Sequence, residues 1–457
     1  MMTRNDFGKN FIWGVATSAH QIEGAVDVDG KGPSIWDVFG NKRGKIKNGE
    51  HARIACDFYH RYEHDLTLLE QLNIPNFRFS TAWSRILPKG IGHVNQAGLD
   101  FYKRLTDALL EKNITPWVTI YHWDLPHVLE LKGGWTNRDV LGWFEEYAEV
   151  VVHALGDRVK HWMVLNEPMV FTGAGYFLGY HAPGRRGFSN FIPAMHHATL
   201  AMGVGGHVVR QLCPEAQIGT TFSCSHIEPM SSDEKDIAAA TRVDALLNRL
   251  YIEPLLGMGY PLDELPRLAS VEKYFKTFDE VRIPFDFDFI GVQNYTREVV
   301  RYSWVTPYLQ ASLVSPKERN VPYTLMNWEV YPEALYQVLK KFAAYRHIPR
   351  LMVTENGAAF NDVVQNGKVH DHERLHYLQQ NIAQMLRAKK EGVQVDGYFV
   401  WTFTDNFEWA EGYTPRFGLV HIDFKTQKRT IKDSGLWYSE FIANAIAQPT
   451  LATSRNI

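Results

Sequence analysis

The chain has 457 residues, 45% hydrophobic and 22% charged, a balance that excludes disordered and collagen-like classes and can fill a large core. A formal net charge of −3 gives no strong positive field for a polyanion or an acidic membrane surface, so no nucleic-acid partner is expected. Cys56, Cys213 and Cys224 are far apart and lack CxxC spacing, which argues against a disulfide framework or structural zinc and points to a reducing compartment.

Residues 1–11 lack the apolar run of a secretory signal, and no stretch reaches the length of a membrane-spanning helix. The expectation is a cytoplasmic protein with no membrane partner. Eight short β-branched or aromatic runs follow in chain order, at 11–16, 76–80, 116–121, 161–165, 217–222, 289–293, 351–354 and 397–401. Longer segments with apolar residues at helical spacing lie between them. Leu375, Leu378, Ile382 and Met385 show this best, between Asp371 as N-cap and Gly392 as C-terminal stop. Pro332 suits the first turn of a helix carrying Leu335, Val338, Leu339 and Phe342. No linker divides the chain, so the pattern predicts one α/β domain over residues 1–457, a (β/α)8 TIM barrel with extended βα loops. A doubly wound sheet is the alternative. Gly203-Val204-Gly205-Gly206 gives it no support, because Val208 stands where a dinucleotide fingerprint needs its third glycine and the run lies in a helical pattern.

In such a barrel, reactive groups collect where strands end at the C-terminal face. Those ends are rich here. They carry Gln21 and Glu23, Arg78, His122 and Trp123, Asn166-Glu167-Pro168, Asn294-Tyr295, Glu355-Asn356-Gly357, and Trp401 followed by Asp405, Glu408 and Trp409; only the fifth run offers nothing obvious. Glu167 and Glu355 belong to the fourth and seventh strands, on opposite sides of the ring. Two carboxyls facing each other across a pocket suit glycosidic chemistry, one protonating the leaving oxygen while the other attacks the anomeric carbon. Pro168 biases Glu167 toward an extended backbone, and Asn356-Gly357 supplies a tight turn after Glu355.

Taken together, the motifs resemble glycoside hydrolase family 1, the retaining β-glucosidases and β-galactosidases. The resemblance runs from Phe11-Ile12-Trp13-Gly14 and Ser18-Ala19-His20-Gln21-Ile22-Glu23-Gly24 through Phe77-Arg78-Phe79-Ser80, Trp83-Ser84-Arg85-Ile86 and His122-Trp123-Asp124-Leu125-Pro126. It continues through Leu165-Asn166-Glu167-Pro168, Gln293-Asn294-Tyr295, Val353-Thr354-Glu355-Asn356-Gly357 and Asp405-Asn406-Phe407-Glu408-Trp409. It implies that Glu355 is the nucleophile of a covalent glycosyl-enzyme and Glu167 the acid that later serves as base, supported by Arg78, Asn294 and Tyr295. It implies further that Gln21, His122, Trp123, Asn166, Glu408 and Trp409 bind the sugar over Trp401, and that Trp328 and Phe417 line the leaving-group side. The implied partners are small β-glycosides: disaccharides, short oligosaccharides and aryl glycosides, with glucose, galactose and fucose all candidates for the glycone.

An anionic Glu408 would repel a 6-phosphate, so an unphosphorylated substrate is expected; Glu167 also separates the chain from the myrosinases, which carry Gln there. His20 replaces a usual Tyr, Val164-Leu165 a usual Thr-Phe or Thr-Leu, and Thr296 a second Tyr, while the segments 169–188 and 302–325 are where relatives differ most.

Three other readings compete with this one. His60-Arg61-Tyr62-Glu63-His64 fits the inverted zinc-protease motif H-x-x-E-H, but a helix buried through Phe58, Tyr62, Leu66 and Leu69 turns both histidines to solvent. A transglycosylase and a non-catalytic sugar-binding barrel are the other two. No cofactor and no metal site is expected, and a homo-oligomer stays open.

Overall fold

The computed structural model describes residues 2–443. Eight strands, β1 (Ile12–Ala16), β2 (Asn76–Ser80), β3 (Thr115–Tyr121), β4 (His161–Asn166), β5 (Gln217–Ser223), β6 (Phe289–Gln293), β7 (Leu351–Asn356) and β8 (Val395–Trp401), form a closed barrel. All are parallel, each pairs with its neighbours in sequence, and β8 closes on β1. The barrel is a TIM barrel, and each strand lies within two residues of its predicted bounds.

Outside the barrel lie α1 (Phe58–Gln71), α2 (Gln96–Glu111), α3 (Val140–Leu155), α4 (Phe188–Leu212), α5 (Glu234–Asp244), α6 (Glu333–Ala343), α7 (His372–Lys390) and α8 (Asp433–Ala443). On α6, Leu335, Val338, Leu339 and Phe342 are buried as expected, with Pro332 one step earlier at the N-cap. On α7, Leu378, Ile382 and Met385 are buried and Leu375 half-buried, and Gly392 follows the helix at φ 94°. Asp371 does not cap α7 through its side chain. Its carboxylate instead accepts from Arg374 at 2.5 Å and from the Ser434 backbone at 2.9 Å, tying α7 to α8. The glycine run at 203–206 lies inside α4.

Successive strand residues point alternately inward and outward. Trp117, Met163, Phe289, Met352 and Phe399 form a core inside the barrel, distinct from the larger one between strands and helices. Two glycines make room for these rings: a Cβ at Gly14 would lie 2.5 Å from Phe399, and one at Gly219 would lie 2.3 Å from Phe289. Truncating either ring to alanine costs about 3–5 kcal/mol.

His60 and His64 are exposed on α1, and His60 bonds Asp57 at 2.6 Å, so the H-x-x-E-H segment is a solvated face. Among the described residues, the three cysteines are free, and no helix is long and apolar enough to cross a membrane.

Candidate active site

Glu355 is the penultimate residue of β7, where the pairing with β6 slips between Val353 and Glu355 and sets Glu355 opposite Gln293. Such an irregularity re-aims a side chain at a strand end. The Glu355 carboxylate is buried and receives three donors. Oε1 accepts from Arg78 Nη1 at 2.5 Å and Gln293 Nε2 at 2.8 Å, and Oε2 accepts from the Tyr295 hydroxyl at 2.6 Å. Gly357 serves by close approach instead of a positive-φ turn, since a Cβ there would lie 1.8 Å from the Trp401 carbonyl oxygen.

Glu167 follows β4, and its backbone differs from the sequence expectation. At φ 46° and ψ 67° it is left-handed, not extended. Asn166 ends β4 and Pro168 opens the helix Pro168–Thr172, so a single residue must reverse the chain direction. The right-handed region is disfavoured before proline, and the left-handed turn is the route left. A non-glycine residue there stores about 1–3 kcal/mol, a cost seen mainly at functional sites. Trp123 and Trp409 also have positive φ, 77° and 53°.

The Glu167 carboxyl is far less supported. Asn166 Nδ2 donates to Oε2 at 3.4 Å, a long bond. Burial pushes its pKa well above the ordinary carboxyl range, and the neighbouring Glu355 charge pushes it further. Burial also raises Glu355, but Arg78 and the Tyr295 hydroxyl oppose it. The strands of the two glutamates are not diametrically opposed: only β5 and β6 stand between β4 and β7.

Arg78 joins the two sides. It is fully buried and donates through Nη1 to Glu355, through Nη2 to Asn166 Oδ1 at 2.5 Å, and through Nε to Thr119 at 3.0 Å. Three members of this network, Thr119, Gln293 and Thr221, carry no assignment from sequence. Gln293 Nε2 lies 2.8 Å from both Glu355 Oε1 and Asn166 Oδ1, and Thr221 on β5, the strand that seemed empty, donates to Asn166 Oδ1 at 2.9 Å. Gln293 ends its strand, which is the signal available for it; a lone threonine within a strand gives none.

Farther round the ring, Gln21 Nε2 contacts Asn406 Oδ1 at 3.1 Å and Glu408 Oε2 at 3.3 Å, and Trp401 Nε1 donates to Glu408 Oε1 at 3.3 Å. Burial pushes the Glu408 carboxyl up to about 8. The Glu355 charge adds to this rise, while the bonds from Trp401 and Gln21 oppose it. His122 Nε2 accepts from Asn166 Nδ2 at 3.1 Å, while Nδ1 is buried without a partner. Burial, then the Arg78 charge, keeps this imidazole neutral.

Trp409 stands between His20 (5.7 Å, 11°) and Trp123 (4.6 Å, 36°), and His122 is near-parallel to Trp401 (6.0 Å, 26°). The Trp123 indole N–H is committed to the Asn166 carbonyl at 2.8 Å, so Trp123 contributes ring surface. Asn294 donates to the carbonyls of Cys224 and Thr296, both at 2.9 Å, leaving its side-chain oxygen for other contacts. Near the mouth, Tyr295, Trp328 and Phe417 cluster with ring centroids 5.1–6.2 Å apart. Every residue expected at the site thus falls on one end of the barrel.

The comparisons with known proteins agree with this geometry. The Glycosyl hydrolase family 1 model matches residues 3–446. A 1,4-beta-D-glucan glucohydrolase of Thermotoga neapolitana is 45% identical, over 96% of this chain and 98% of its own. Beta-glucosidase A of Thermotoga maritima is 44% identical, over 97% and 99%. A solved Thermotoga maritima β-glucosidase in complex with galacto-hydroximolactam superposes with a TM-score of 0.91 at 43% identity, covering 97% of this chain and 99% of that one. A barrel of this topology, carrying a paired glutamate pocket and matching along almost its whole length, belongs to glycosyl hydrolase family 1.

Proposed function

We propose that in this retaining β-glucosidase Glu355 is the nucleophile and Glu167 the acid and base. The observation that carries the assignment is the asymmetry of their surroundings. Three donors converge on Glu355 and favour its charged form, as a nucleophile needs, whereas burial and the Glu355 charge raise the pKa of Glu167 more than its Ser223 contact and the Arg78 charge lower it.

In the first step Glu355 attacks the anomeric carbon, the bond to the leaving oxygen breaks, and Glu167 transfers its proton to that oxygen. The ester then formed at Glu355 carries no charge, so the electrostatic cause that raised Glu167 is removed. Glu167 can now accept a proton from water as the water attacks the same carbon, and Glu355 leaves as a carboxylate. Two inversions give net retention.

The glycone contacts we propose are Gln21, His122, Asn166, Asn294, Glu408 and Trp409 over Trp401, with Trp123 as wall and Trp328 and Phe417 beside the leaving group. The unpartnered buried nitrogens of His122 and Asn406 support hydroxyl binding, because a buried polar atom left unpaired costs about 1–3 kcal/mol. A protonated Glu408 can both donate to and accept from sugar hydroxyls. Small unphosphorylated β-glycosides fit best: among the described residues, the groups bonded to Glu408 are amide and indole N–H, and neither is a cation to meet a phosphate. The galacto-configured ligand of the solved relative supports galactosides beside glucosides. Fucosides extend the same proposal, as does the reading of residues 1–457 as one catalytic domain acting in the cytoplasm.

A 2-deoxy-2-fluoro glucoside with an activated leaving group tests the roles, because it slows hydrolysis of the covalent intermediate. Peptide mass mapping is expected to find the sugar on Glu355. A label on Glu167, or α-glucose as the first anomer seen by proton NMR with an ordinary aryl glucoside, would overturn the assignment.

A further inference from the structure

We propose that His370, His372 and Asp433 form a surface site for one borderline transition-metal ion, Zn2+ being the representative case, which clamps α8 to the start of α7. Each of the three offers one ligand atom, and these atoms all lie within 4.8 Å of one another. Two imidazoles and a carboxylate are a zinc-type donor set, whereas calcium and magnesium prefer oxygen alone.

The backbone beneath the cluster is fixed from two directions. Val369, the last residue of a short antiparallel hairpin (Val364–Gln365 with Lys368–Val369), forms a parallel bridge with Lys432. This bridge sets His370 beside Asp433, and His370 Nδ1 lies 2.7 Å from Asp433 Oδ2. Asp371 lies between the two histidines and faces the opposite way. It is buried, and its carboxylate takes Arg374 at 2.5 Å and the Ser434 backbone and hydroxyl at 2.9 and 2.5 Å. With Asp371 turned inward, His370 and His372 share the outer side, their rings 6.0 Å apart and within 15° of parallel.

Coordination near tetrahedral geometry, with bonds of about 2.0–2.1 Å, needs ligand atoms about 3.3 Å apart. The cluster must therefore contract. Side-chain rotation is sufficient, since His370 and His372 are exposed and Asp433 half-exposed. Asp433 can close as a direct ligand, or stay on His370 Nδ1 and orient that ring through a carboxylate–histidine pair.

The site lies outside the catalytic pocket, so its test does not depend on the sugar chemistry. The full chain, without a polyhistidine tag and stripped by chelator, is titrated with zinc chloride at neutral pH against a chromophoric competitor. Saturation at one ion per chain is expected. His370→Ala and His372→Ala should each weaken binding about tenfold or more, and Asp433→Asn should weaken it by a smaller factor. His60→Ala should bind as the parent does. Zinc should raise the unfolding midpoint of the parent and leave that of His372→Ala unmoved. The absence of saturable binding overturns the proposal, and so does binding by both histidine variants as tight as the parent's. Circular dichroism and glucosidase activity check that each variant is folded.

Discussion

The β7 end of the pocket and the β4 end carry the same residue type, yet they treat it differently. At the β7 end Glu355 sits within the strand, at its register slip, and receives Arg78, Gln293 and Tyr295. At the β4 end Glu167 sits on a left-handed backbone with a long bond from Asn166, and the Ser223 hydroxyl and the Arg78 charge only partly offset its burial. Hydrogen bonds to an anion stabilise it, whereas burial without donors favours the neutral acid. Burial raises both glutamates, and the donors around Glu355 hold its pKa below that of Glu167.

Removing the charged partner is the harshest way to break the contrast. Glu355→Gln should lower turnover by about 10⁴-fold or more, the scale of losing a nucleophile, with the protein still folded. In the same variant the pKa of Glu167 should fall, because a neighbouring negative charge that opposed its ionisation is gone. NMR titration of labelled glutamate would read this, and an unchanged value would separate the two groups electrostatically.

Removing the proton-holding partner should be selective. Glu167→Ala is expected to slow glycosides with poor leaving groups by about 10²–10⁴-fold and activated aryl glycosides much less, since the latter need little proton assistance. Equal losses on both would count against Glu167 as the acid.

Tyr295→Phe sharpens the comparison by making Glu355 more like Glu167. A hydrogen bond to a charged group contributes about 1.5–3 kcal/mol, so a loss of about 10–100-fold is expected. Its sign in pH is also fixed. The hydroxyl lowers the Glu355 pKa, its removal raises that pKa, and activity on the acid limb should disappear at a higher pH than in the parent. A limb that stays in place would mean that the hydroxyl does not act through Glu355.

The smallest effect is expected away from both ends. Trp304 is 79% exposed in the segment 302–325, and Trp304→Ala should leave kcat/KM on a small aryl glucoside within about twofold.

The amino-acid sequence by itself determined the eight strands, their order and the two glutamates. Alternating β-branched runs and helical spacing are local properties, and motifs such as Leu165-Asn166-Glu167-Pro168 are read without knowing what they touch. Tertiary structure decided the rest. The register slip that sets Glu355 against Gln293, the left-handed turn at Glu167 and the bond from Thr221 to Asn166 depend on how neighbouring strands pair. The Glu408 carboxyl reads from sequence as an ordinary anion, and only its burial in the folded chain raises its pKa. Asp371 reads as a helix cap, but its partner Ser434 lies at the start of α8. In each case the residue type is local, while its charge, partner or direction comes from groups far away in the chain that the closed barrel brings into contact.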